Sequence, residues 1–185
     1  GDSGLRARVL ANHARILAAH GRLDEAQTHG VDALELAERL DLHELASDAI
    51  TTLSGLKKAG PKEGLRAALE EAVVRAAEAD AIHAELRGRF LLGRSYEDWG
   101  EFAQAEEWFA SGIARAEAAG LPWAPYGFEA RWQLAWIHLV RGEWERALGL
   151  LSVEGQPPPP IPRALLTAVR LQVLQHRGDD VGNRV

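Results

Sequence analysis

The chain has 185 residues, a formal net charge of −6, 46% hydrophobic residues and neither Cys nor Met. That supplies ample apolar material for a core, and the missing thiols exclude disulfides, thiolate metal sites and cysteine nucleophiles. The acidic balance is a poor match for a phosphate backbone, and no apolar run approaches the roughly 18 residues of a membrane span, so neither direct nucleic-acid binding by this piece nor membrane insertion is expected.

Ala, Leu, Glu and Arg dominate, all good helix formers, and runs of alternating β-branched residues are absent. An all-α fold of nine helices is expected. Turn glycines recur at Gly21, Gly60, Gly100, Gly142 and Gly178, spaced 39, 40, 42 and 36 residues apart. A period near forty with two helices per unit implies stacked helical hairpins, each burying its apolar face on its neighbours. About four and a half repeats follow, near residues 5–40, 43–80, 82–120, 124–153 and 161–178, as one superhelical domain over 1–185.

The first unit pairs a helix near Leu5–His20 with one near Leu23–Leu40, and Ala26, Ala33 and Leu34 face the hairpin partner. The second meets at KAGPKEG, where Pro61 can open a helix without losing a needed hydrogen bond. Leu65, Leu69, Ala72, Val73 and Ala76 then recur at helical spacing. The third unit, Ala81–Gly120, has the clearest pattern. Gly93, Ala105 and Gly112 allow close helix approach, while Tyr96, Phe102 and Phe109 fill the space beside them. The fourth repeats these offsets with Leu134, Ala135, Gly142, Trp144, Ala147 and Leu151. Trp144 takes the slot of Phe102 and is expected in the core, and His138 takes that of Tyr96. GQPPPPIP (Gly155–Pro162) is expected to be extended and non-helical, a rigid spacer before a last helix near Arg163–Arg177.

These glycine, alanine and aromatic offsets resemble the tetratricopeptide repeat (TPR). The resemblance implies a right-handed α-α superhelix whose first helix in each pair lines a concave face. The longer units, such as GEFAQAEEWFASGIARAEAAGL, are similar to the helical repeats of large ATP-binding LuxR-type (MalT-like) transcriptional regulators. That implies a non-catalytic effector-sensing or protein-interaction segment of a larger cytoplasmic bacterial signalling protein, with the chain a fragment of it. The alternatives are a small-molecule inducer-binding domain and a stand-alone protein–protein interaction adaptor.

No GxxxxGK[ST] loop is present, so neither nucleotide chemistry nor a cofactor is expected. The seven histidines, His13, His20, His29, His43, His83, His138 and His176, show no HExxH and no i,i+3 or i,i+4 pair, so no metal site is expected. Adjacent carboxylates (Glu70–Glu71, Glu97–Asp98, Glu106–Glu107) point in different directions and read as solvated faces. An α-helical enzyme would instead need a buried Glu of shifted pKa in a deep cleft.

All six Trp fall between positions 99 and 144. Trp132 and Trp136, at i,i+4, share one face of the first helix of repeat four. By repeat offset they match Phe90 and Arg94 of repeat three, positions that line the groove in TPR proteins. This is either an aromatic platform for a peptide or small ligand, or packing between repeats. The same offset nominates Arg8, Arg15, Lys57, Arg87 and Arg94 as a basic set suited to a carboxylate-bearing partner. The expected partner is thus a protein segment or small effector in the concave groove, with self-association possible.

Overall fold

The computed structural model of the chain describes residues 2–56, 62–152 and 156–179. Among them are nine helices and no strand: α1 (Gly4–Ala19), α2 (Leu23–Arg39), α3 (His43–Leu56), α4 (Lys62–Glu78), α5 (Ile82–Asp98), α6 (Phe102–Ala118), α7 (Pro125–Val140), α8 (Trp144–Leu151) and α9 (Pro160–Arg177).

Seven of the helices, α1, α2, α4, α5, α6, α7 and α9, end in nearly identical turns. After α1, Gly21 is left-handed at φ 74°, its amide bonds the Ala18 carbonyl, and the Arg22 amide reaches back to Leu17. These bonds satisfy carbonyls that the helix end would otherwise leave open. Gly100, Gly142 and Gly178 repeat the arrangement. So do Gly120 and, without glycine, Asp41 (φ 54°) and Asp80 (φ 50°). Gly60 and Pro61 lie outside the described residues, as does Lys57.

The chain divides into two compact units, Gly1–Ser95 and Tyr96–Val185. In the first, small residues set the helix spacing. Ala7, Ala11 and Ala14 of α1 and Ala26, Ala33 and Ala37 of α2 are buried, and Ala46 and Ala49 of α3 join them. Gly88 of α5 sits on α4 so closely that a Cβ there would lie 2.7 Å from Val73 Cγ2. Arg87, one residue earlier, is buried and donates to the Asp48 carboxylate and carbonyl and to Thr52 Oγ1, tying α5 to α3. Burial of an arginine is tolerable only because its donors find acceptors.

The second unit is built on Phe128, Ala135 and Leu139 of α7, Ala147 and Leu151 of α8, and Leu166, Val169 and Val173 of α9. Trp123, Trp132, Trp136 and Trp144 pack against this cluster half-buried. Phe109 and Tyr96 are buried as expected, but Phe102 is 43% exposed rather than in the core. It opens α6, where the first turn points its ring outward, and Arg141 covers the ring at 5.7 Å. A second correction concerns the prolines. α9 begins at Pro160, so Pro160 and Pro162 are helical. The first helical amides have no partner within the helix, so proline costs nothing there. Among the described residues of that stretch, Gln156–Pro159 is non-helical, with Pro159 extended at φ −55°, ψ 163°.

Candidate functional site

Trp132 and Trp136 lie on α7, which starts at Pro125 and ends at Val140, two residues before the left-handed Gly142. Trp132 and Trp136 come together edge to face, ring centroids 6.3 Å apart at 85°. Both indole Nε1–H groups are buried, with no acceptor among the described residues. Buried Trp N–H groups ordinarily find one, so this pair holds unused donors. Trp136 also lines a hollow of about 260 Å³ with Ile137, Val140, Phe102, Arg141 and Glu97. Val140 there is 82% exposed. On the neighbouring position of α7, the Gln133 amide donates to both carboxylate oxygens of Glu97, at 2.8 and 2.9 Å.

Phe90 and Arg94 belong to the first unit, on α5, and are half-buried. Arg94 lines a slit of about 20 Å³ with Ser54, Gly55, Leu65, Leu69, Leu91 and Ser95. A space of that size holds a water and no larger ligand. Arg87 does not present its charge outward, because Asp48 and Thr52 hold it. Arg8 and Arg15 are exposed on α1. The first approaches Glu44 at 3.8 Å and the second bonds Asn12 at 2.7 Å.

Two larger clefts were not apparent in the sequence. In the first unit a cleft of about 500 Å³ runs between α2 and α4 over α3, floored by Ile50, Leu53 and Leu65 and walled by Leu34 and Ala68. One end is closed by Arg75, which pairs with Glu38 and, at 2.7 Å, with Glu71. In the second unit a cleft of about 720 Å³ is bounded by Glu117, Trp123, Arg131, Ser152 and Gln156. Arg131 is buried. It pairs with Glu117, donates to the Leu150 carbonyl at 3.1 Å and lies 5.7 Å over the Trp123 ring. Trp123 Nε1 in turn donates to the Gln156 carbonyl at 2.9 Å. Both clefts join residues far apart in sequence, which no local motif marks.

The fold also stacks His13 on His29, centroids 4.5 Å apart, a pairing between helices. His138 is buried and its Nδ1 meets Glu143 at 2.7 Å. The Glu143 carboxyl is lowered in pKa. Partial desolvation opposes this, but the His138 hydrogen bond and the charges of His138 and Arg146 outweigh it. Burial raises the Glu129 carboxyl, which lines none of these clefts. Among the described residues no three His, Asp or Glu side chains converge as metal ligands would, and no helix is long and apolar enough to cross a membrane.

No protein-family model matches the sequence, and no curated protein matches it. Among solved structures the chain is similar to a provisional kinesin light chain of Podosopora anserina with nearly identical TPR-like repeats. The TM-score is 0.67 at 18% identity, over 94% of this chain and 87% of that one. A single-substitution form of the same protein matches equally, with a TM-score of 0.67 and 18% identity. At this identity the likeness speaks for the fold alone: the chain has an all-α, TPR-like helical repeat fold.

Proposed function

We propose that this chain is a non-catalytic interaction scaffold that takes up a segment of a protein partner, with the Trp132–Trp136 face of α7 as its anchor. The observation that carries this reading is the pair of buried indole donors without acceptors among the described residues, beside an exposed hollow of Phe102, Ile137 and Val140. The hollow suits one large apolar side chain, and a backbone carbonyl beside that side chain could accept from an indole after small ring movements. The surroundings we favour are those of the MalT-like resemblance: a cytoplasmic bacterial signalling or transcription regulator in which partner binding biases modules elsewhere.

A small effector is the second reading. It is favoured by the 720 Å³ cleft around Trp123 and Arg131, whose size falls in the range of about 300–1,000 Å³ usual for ligand sites. Tryptophan fluorescence under titration with a peptide library, and separately with small metabolites, tests both. A response lost in Trp132→Ala and Trp136→Ala but kept in Trp123→Phe supports the segment reading. The reverse supports the effector. If binding constants for every identified ligand survive all three substitutions, neither site is the functional one.

A further inference from the structure

α1 carries an exposed face that its own unit does not cover. Leu5, Val9 and Ile16 are 73, 58 and 54% exposed. Their spacing of four and eleven residues sets them in one stripe along the helix, with Arg8 and Arg15 on its flank. The opposite face, Ala7, Ala11, Ala14 and Leu17, is what α1 buries. The stripe therefore cannot turn inward without unpacking the helix. α1 as a whole has Arg6, Arg8 and Arg15 and no acidic residue.

The α2–α4 cleft of the same unit is complementary in both respects. Its floor is apolar, and two carboxylates, Glu38 and Glu71, share the single Arg75 at its closed end. The helices that form it are acidic: α2 has five carboxylates against one arginine, and α4 four against three basic residues. A helix laid into an apolar groove through aliphatic anchors is an established recognition mode. Within one chain the two features cannot meet, since α1 is fixed against α2 and α3 by its buried face.

We infer that the α2–α4 cleft is a docking site for α1 of a second copy of this chain. Leu5 and Val9 supply the anchors, and Arg8 and Arg15 meet the carboxylates of the rim. Donor stripe and acceptor cleft are different surfaces, so the contact is heterologous and can propagate beyond a dimer. It goes beyond the partner-binding reading above: Trp132 and Trp136 take no part, and loss of that site would leave this contact standing.

Sedimentation velocity of the full chain over a broad concentration series is the test. The expected result is a weight-average mass that climbs with concentration past that of a dimer and falls as salt is added. Val9→Glu places a charge on the stripe at an exposed position; Ala68→Phe fills the cleft from its wall. Each should weaken association by about tenfold or more, with helical content unchanged by circular dichroism. Arg8→Glu with Arg15→Glu should weaken it similarly, and Glu38→Lys with Glu71→Lys should restore part of the loss. A single species of monomer mass at every concentration would overturn the inference. So would association that both Val9→Glu and Ala68→Phe leave unchanged, since the copies would then be meeting elsewhere.

Discussion

The two units solve the same problem with different parts. In the first, α2 and α4 are 17 residues each, and Arg75 on α4 is long-armed and well placed enough to pair with Glu38 across the cleft. In the second, α8 has only 8 residues and ends at Leu151, before any equivalent of Arg75. The tie comes instead from beneath, where Arg131 on α7 reaches Glu117, the residue that stands three before Gly120 as Glu38 stands three before Asp41. The unit with the short helix thus carries its cation on the floor, and the other carries it at the rim. The rim arginine leaves an apolar cleft behind it; the floor arginine makes the cleft polar and brings Trp123 into its wall.

This difference predicts a graded series. Arg87 is the most buried tie, and its removal strands the largely buried Asp48 carboxylate. Arg87→Met should therefore cost about 3 kcal/mol or more. Arg131→Met leaves the Leu150 carbonyl without its donor but Glu117 half in solvent, and should cost about 2 kcal/mol. Arg75→Ala breaks pairs whose carboxylates are about half exposed, and should cost less than about 1 kcal/mol. Urea unfolding of the three variants gives the order directly. An Arg75 effect equal to that of Arg131 would mean that rim and floor ties are equivalent, and the contrast between the units would collapse.

The helix ends offer a milder comparison. Asp41 and Asp80 adopt the left-handed backbone that glycine holds at the other turns, and glycine does so without a Cβ penalty. Asp80→Gly should raise stability by roughly 0.5–1 kcal/mol, and Gly100→Ala should lower it by a similar amount. If the two moved stability in the same direction, side-chain interactions rather than backbone strain would govern these turns.

The same residues show what the sequence can disclose. Gly21, Gly100, Gly142 and Gly178 were legible because one backbone conformation selects one residue type. Asp41 and Asp80 were not, because an aspartate in a polar linker looks like any solvated residue. The Trp132–Trp136 face followed from helical spacing, which is local. The partner of Arg87 lies 39 residues away, so its type was visible and its burial was not. Phe102 was misplaced because repeat offset assigns it a core slot, while its actual position at the start of α6 turns the ring outward. The α2–α4 cleft could not be read at all, since it is a gap between three helices and no residue marks a gap.

The smallest effect concerns pH, where two carboxyls of the second unit differ in how their charge is housed. Glu129, on α7 of the second unit, has its carboxyl raised by burial. Between the ordinary glutamate range and that raised value, the folded chain holds a proton that the unfolded chain has released. Stability is therefore fully present below the unfolded pKa and falls as pH rises through the folded one. Glu129→Gln removes the titration and should melt slightly higher than the parent at about pH 7, with the difference vanishing near pH 3. Glu143 runs the other way. Its lowered carboxyl contributes stability above the ordinary range and loses it as pH falls through the lowered value. Glu143→Gln should thus melt lower than the parent at about pH 7 and converge with it in acid. Matched melting curves of the two variants would lie on opposite sides of the parent at about pH 7 and converge with it in acid. If both shifted in the same sense at neutral pH, burial at Glu129 would not be what governs its carboxyl.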